Sequence, residues 1–396
     1  MLGNHKLVLD THSELYRELL PWADGEFWDL SQHEIVPGAV YIVCREQVNQ
    51  QGRLIQELAS EGKIKIIIDN AAEGSETLVT WCVMKSMADL LQQKKILLIG
   101  GGDMSNSWPC FSYEYFLPKI LDFDENVDIA DNNDHFYQDH ARPYKFLFLN
   151  GRMRSHRKYL LERFRLSGLL DQALWTNLDR SLSLIRSLHQ GRWYTFETVD
   201  NHNIMLQLWH NEIDLMQQEI DIQYLPRQYE FARHRKHMNK TAKRPFVKQE
   251  LFNNTWGDAV IDASAYADTY FSLVTETVFN YPYSFRTEKI WKPIAVGHPW
   301  IAVANAGFYR DLKNMGFQTF SHLIDESFDQ IQNSQDRIER IAQVVEDLCQ
   351  QDLATFVKEC YTVCKYNQQH CAELRHQVPR QLPHNFLKFI NQYFNE

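Results

Sequence analysis

Two groups of charged residues have the types and spacing to hold an anionic ligand. The first joins Glu276 to Thr287-Glu288-Lys289. Glu276 follows an apolar run, residues 270–275, that reads as a strand. A carboxylate at a strand end can accept two hydrogen bonds from ribose or sugar hydroxyls. Thr287 is placed to cap the next helix, which leaves the first-turn amides as an anion site. Lys289 falls within that turn, where the helix dipole disfavours a cation, so a bound pyrophosphate would give it a partner. Glu288 would then suit the ribose or the sugar ring. A plainer alternative makes Glu276 and Glu288 cap or salt-bridge residues around the turn.

The second group is Asn150-Gly151-Arg152-Met153-Arg154-Ser155-His156-Arg157-Lys158. A strand over 144–149 runs into a turn and then a helix that opens on cations. Such a helix start is electrostatically unfavourable unless an anion sits there. Arg152, Arg154, Arg157 and Lys158 are the cations gathered at that start. The alternative is a surface charge cluster.

Both groups need a scaffold that presents strand ends to a ligand. Short apolar runs at 6–10, 40–44, 64–69 and 95–100 alternate with helix-like spacing over 47–61 and 75–93. That alternation predicts βαβ units and a mostly parallel sheet. An acidic stretch, 122–139, reads as a linker. A second α/β set follows, with strands at 144–149, 270–275, 299–303 and 317–320, and helices at 155–166, 287–296 and 307–315. From Asp325 the chain reads as mainly helical. At 396 residues it exceeds what one core usually serves. The expected fold is α/β, with two Rossmann-like domains, 1–140 and 141–380. A final helix over 382–394, within a terminal segment 381–396, is expected to pack back on the first domain.

The stretch Phe271-Ser-Leu-Val-Thr-Glu276-Thr, then Tyr283-Ser-Phe-Arg-Thr287-Glu288-Lys289-Ile-Trp-Lys292-Pro293, then Ala295-Val-Gly297-His-Pro299-Trp-Ile, resembles the donor-binding motif of the alpha-1,3-fucosyltransferases and related glycosyltransferases. The match spans about 30 residues. The resemblance implies a GT-B-like pair of domains facing across a cleft, with a nucleotide-sugar donor on the C-terminal domain and a glycan or other hydroxyl acceptor on the N-terminal one. It implies an inverting transfer. It also places an arginine after the first donor-domain strand on the diphosphate, a role that Arg154 matches best by position, with Arg152 and Arg157 as substitutes. Thr277 stands where an asparagine is usual, Phe285 where a tyrosine is, and Arg286 where an apolar residue is. These departures leave the donor's sugar and nucleotide unassigned.

Such a transfer needs a base for the acceptor hydroxyl. Glu73, in Asp69-Asn-Ala-Ala-Glu73-Gly-Ser75, is the first candidate and loosely resembles the family's Glu-Ser-Pro segment; a simple helix-entry acid is the alternative. Asp69 and Asp103 follow it. No metal is expected, because arginine, lysine and a helix N-terminus can hold the diphosphate. Asp122-Phe-Asp124 has metal-motif spacing but lies in the acidic linker, so it reads as chance. Cys360, Cys364, His370 and Cys371 read as helix packing rather than a zinc site. Gly100-Gly-Gly102 reads as a tight strand-end turn.

The formal net charge of -10 argues against a protein that coats nucleic acid or anionic lipid through its overall field. A local basic run, 233–248, reads as a solvated loop; the alternatives are a contact for a phosphate-bearing acceptor or for nucleic acid, such as a modified base. Seven scattered cysteines suit a reducing compartment, and neither a signal peptide nor a membrane span is legible. The cytoplasm is the expected location. A binding protein that keeps the fold without turnover is the competing class.

Overall fold

Val40-Tyr-Ile-Val-Cys44 offers no charged side chain on either face, which suits the middle of a parallel sheet covered on both sides. In the computed structural model, which describes residues 5–74, 87–102, 109–120, 141–150, 154–177, 261, 263–281 and 283–394, this run is a fully buried strand. It belongs to a six-stranded sheet made of β1 (Leu7–Asp10), β2 (Gly25–Phe27), β3 (Val40–Cys44), β4 (Lys65–Gly74), β5 (Ile96–Gly101) and β6 (Cys110–Ser112). Every pairing is parallel and the order is β2-β1-β3-β4-β5-β6. Helix α1 (Arg45–Ser60) follows β3 and turns Val48, Ile55 and Leu58 inward. Gly102, at φ 80°, turns the chain sharply after β5.

The second sheet holds β7 (Tyr144–Asn150), β8 (Ala173–Asn177), β9 (Thr269–Thr275) and β10 (Trp300–Val303). It is also all parallel, in the order β10-β9-β7-β8. Helix α2 (Ser155–Leu166) follows β7, α3 (Glu288–Ala295) follows β9, and α4 (Phe308–Asn314) follows β10. Two further helices, α5 (Ser334–Leu348) and α6 (Leu353–Phe394), complete the chain.

By its internal contacts the chain divides into one unit of Met1–Pro118 with Leu374–Glu396, and another of Lys119–Glu373. The last part of α6 therefore belongs with the first sheet. Leu382, Phe386, Phe389 and Ile390 share one buried core with Leu7, Val40, Ile67 and Leu97. The Phe111 and Phe386 rings meet there at 5.4 Å. Among the described residues, no helix is long and apolar enough to cross a membrane.

In each sheet the chain reverses its direction of winding once. After β1 it forms β2 on one side and then crosses to form β3 on the other; after β7 it does the same with β8 and β9. At such points the loops leaving two adjacent strands part in opposite directions and open a crevice at the carboxyl ends, where parallel sheets bind ligands. The two crevices are therefore at β1/β3 and at β7/β9.

Residues 317–320 are not a strand. The Asn367 side chain of α6 satisfies that backbone instead, its Oδ1 accepting from Gln318 N and its Nδ2 donating to Gln318 O, each at 2.8 Å. An amide side chain thus replaces the neighbouring strand. Cys360, Cys364 and Cys371 are buried free thiols on α6, and His370 bonds the Met315 carbonyl at 2.7 Å.

Candidate functional site at the ends of β7 and β9

The two central strands of the second sheet are tied at their carboxyl ends, where Thr275 Oγ1 donates to Asn150 Oδ1 at 2.9 Å. Helix α2 opens just beyond β7 with no acid in its first turn. No acidic side chain in that turn offsets the positive end of its dipole. His156 and Arg157 turn inward from that turn and are buried. Arg157 Nη2 donates to the carbonyls of Thr275 at 2.9 Å and Glu276 at 3.2 Å. A carbonyl only accepts, so His156 donates from Nε2 to Glu276 O, at 3.0 Å. Its Nδ1 is then a lone pair, buried and with no partner among the described residues. Burial, and then the charges of Arg157, Arg154 and Arg337, hold this imidazole well below its ordinary value, so it is neutral.

Arg337 comes from α5 and lies 2% exposed. It donates to the carbonyls of Phe279, Ile331, Gln332 and Ala304, at 2.6 to 3.2 Å, and its guanidinium stands 4.3 Å over the Phe279 ring. His156 stacks on the same ring at 5.2 Å. Burial pulls Arg337 down to about 10, which leaves it charged at neutral pH. Arg154 sits at the N-cap of α2, half-buried, and no carboxylate among the described residues pairs with its side chain. Arg157 and Arg337 therefore bring buried positive charge to this end of the sheet and spend hydrogen bonds on uncharged carbonyls. A buried cation of that kind favours an incoming anion.

Glu276 lies directly beyond β9 and is fully buried. Its carboxylate accepts from Thr287 N at 3.1 Å and from Thr287 Oγ1 at 2.6 Å, which locks the loop between β9 and α3. Thr287 is the N-cap of α3 and accepts in turn from Lys289 N at 3.3 Å. Lys289 curls back over that cap, donating from Nζ to Glu288 Oε1 at 2.6 Å, Thr287 Oγ1 at 3.2 Å and Thr277 Oγ1 at 3.3 Å. Burial raises Glu288, but Lys289 and Lys292 outweigh it and hold the carboxyl below its usual range. Glu276 moves the other way, raised by burial against the pull of Lys289 and Thr287.

An acid held above its unfolded value of about 4.5 binds its proton more readily in the native state. Stability is then lost as pH rises from 4.5 through the raised native value. Glu276→Gln removes the titration and keeps an acceptor for Thr287 N. The variant should gain stability relative to the natural chain as pH rises through that window. Urea midpoints measured from pH 4 to 8 would show it, and parallel curves for the two proteins would contradict it.

The structure brings together Arg154, Arg157, Glu276, Thr287, Glu288 and Lys289 around one edge of the second unit. Arg152 and the basic run 233–248 lie outside the described residues, as do Asp103 and the Asp122-Phe-Asp124 motif. Glu73 lies on β4 in the first unit, but its side chain is outside the description. Asp69 is buried and already accepts from Ser13 Oγ, Leu15 N and Ala71 N. Those bonds make it a tie between the β1 and β4 loops.

His156 stands in the basic run read from the sequence but has no role there, and Arg337 and Asn280 fall outside every pattern read from it. Arg337 shares the buried face of α5 with Ile341, Val344 and Leu348, so a cation on an apolar helical stripe was the available signal. Asn280 is 7% exposed, and neither amide atom has a partner among the described residues. No spacing rule marks it.

Fold and edge together define an α/β protein of two Rossmann-like parallel sheets, the second with a cation-rich switch point. No protein-family model, curated protein or solved structure matches the chain.

Proposed function

We propose that this chain is a glycosyltransferase that moves a sugar from a nucleotide-sugar donor to an acceptor hydroxyl, by inversion and without a metal. The observation that carries the reading is the set of guanidiniums around His156 at the β7/β9 switch point, where no carboxylate among the described residues pairs with Arg154. A diphosphate has the charge and the oxygens that such an edge lacks.

In this reading Arg154 and Lys289 meet the diphosphate, and the first-turn amides of α3 add to them. Arg157 and Arg337 contribute field from inside the fold, since their donors already hold carbonyls. Glu276 sets Thr287 and Lys289 in place, and Glu288 is the group nearest to hand for a ribose or sugar hydroxyl. Charge building on the leaving diphosphate is then met by fixed cations in a site that need not reorganise. The fucosyltransferase-like motif lies on these same elements, β9 and α3. The second unit is the donor unit in this proposal and the first is the acceptor unit, with Glu73 as the sequence's candidate base.

Nucleoside diphosphate release from a panel of nucleotide sugars tests the proposal. One donor should be turned over, at the same rate with or without EDTA, and Lys289→Ala should lose at least about tenfold in kcat/KM, the loss of one charged contact. Release from none of the donors would leave only a binding protein on this fold.

A further inference from the structure

The first unit carries an oriented histidine at its own switch point. β1 ends at Asp10, whose carboxylate is fully buried. Oδ2 accepts from Cys44 N, at the end of β3, at 3.0 Å. Oδ1 accepts from His12 N at 2.9 Å and lies 3.1 Å from His12 Nδ1. Backbone donors on both oxygens mark them as acceptors, so His12 keeps its proton on Nδ1. Nε2 is left as a bare lone pair, and no hydrogen bond from a described residue reaches it. The His12 side chain is 40% exposed while its partner carboxylate is sealed at 0%. A buried acid that fixes the tautomer of a histidine open to solvent is the arrangement a general base requires.

The surroundings are equally fixed. Thr11 N donates to Phe27 O at 3.0 Å on one side of His12, and Leu15 N donates to Asp69 at 3.0 Å on the other. Against the imidazole stands Trp28, with ring centroids 4.1 Å apart. Its indole is 70% exposed, yet its carbonyl is held by Gln47 Nε2 of α1. Anchored backbone with a bare ring is not fraying. A large aromatic face kept in water beside a hydrogen-bond acceptor suits a ring that is apolar on its C–H face and hydroxylated at its rim. A pyranose has that chemistry.

We infer that His12, oriented by Asp10 and walled by Trp28, binds a sugar ring on the first unit and is the base for its attacking hydroxyl, in place of Glu73. The inference rests on the transferase reading for its catalytic half. The acceptor O–H bond breaks and its proton passes to His12 Nε2. The oxygen bonds to the anomeric carbon, whose bond to the diphosphate oxygen breaks, and that electron pair leaves with the nucleoside diphosphate. Asp10, a positioning residue, stabilises the imidazolium until it returns the proton to water.

Two measurements on the full chain separate this idea from the reading beneath it. Nitrogen-15 NMR of the imidazoles, with His12 assigned by its absence in His12→Gln, reports the tautomer. Nδ1–H is expected, giving way to a mixture in Asp10→Asn. Titration with a panel of methyl glycosides should move the His12 signal for at least one sugar, and Trp28→Ala should abolish the response. With a donor that is turned over, His12→Gln should lose about 10²–10⁴-fold in kcat while nucleoside diphosphate binding stays within about twofold. An Nε2–H tautomer, a signal that no glycoside moves, or full turnover by His12→Gln beside an inactive Glu73→Gln would each overturn the inference. Absence of donor turnover in the natural chain would instead count against the transferase reading, and the NMR arm would still decide the sugar site.

Discussion

Arg337→Met is expected to destabilise the fold by about 3–5 kcal/mol, the range for removing one member of a buried polar set. The guanidinium is the common donor to carbonyls at Phe279, Ala304, Ile331 and Gln332, which lie on the loops leaving β9 and β10 and on the approach to α5. Methionine fills much of the volume but leaves those acceptors without a donor. The natural arrangement carries its own cost. A base held at about 10 in the fold, against 12.5 unfolded, binds fewer protons when native, so at neutral pH the charge bears its full desolvation penalty. Relief would come only above about pH 10, or from an anion. The check is a urea or guanidinium midpoint for each protein. Equal midpoints would mean that water replaces the guanidinium and that Arg337 is not the tie described.

Arg154→Ala is expected to do the reverse, sparing the fold and removing ligand binding. Arg154 has extended backbone at the N-cap of α2, makes no capping bond, and pairs with no carboxylate among the described residues. Its loss should therefore change the melting temperature little and should slightly relieve the dipole of α2. A charged hydrogen bond to a phosphate contributes about 1.5–3 kcal/mol, so affinity for a nucleoside diphosphate should fall about 10- to 150-fold. Titration calorimetry on both proteins reads this directly. A variant that binds as well as the natural chain would place the diphosphate elsewhere.

Much of the scaffold was legible because buried parallel strands are written as unbroken apolar runs. Residues 40–44 and 95–100 have few other ways to fold, and the helix after Thr287 announces its cap. The edge strands β2 and β6, three residues each, carry too little pattern to be seen. Residues 317–320 alternate like a strand, but the partner that satisfies them is one asparagine about fifty positions away. The site was legible in its charges and not in its bonds. Glu276 could be placed at a strand end and Lys289 in the first turn of the next helix, whereas the turning of the Glu276 carboxylate onto Thr287 depends on a loop geometry that spacing does not encode. Arg157 likewise reads as a substitute for Arg154 or as part of a surface cluster until the strand-end carbonyls it holds are seen. The Asp10–His12 pair escaped because two residues of separation look like nothing until a buried strand end fixes one of them.

The central claim is that the β7/β9 edge takes a nucleoside diphosphate. Thermal stabilisation of the natural chain against a panel of nucleoside diphosphates and nucleotide sugars, repeated with Arg154→Ala and Lys289→Ala, tests it most directly. Binding stabilises by mass action, about 2.7 kcal/mol at a hundred times the dissociation constant. The account predicts a shift with one nucleotide series that both variants lose. No shift with any member of the panel, or a shift that both variants keep, would contradict it.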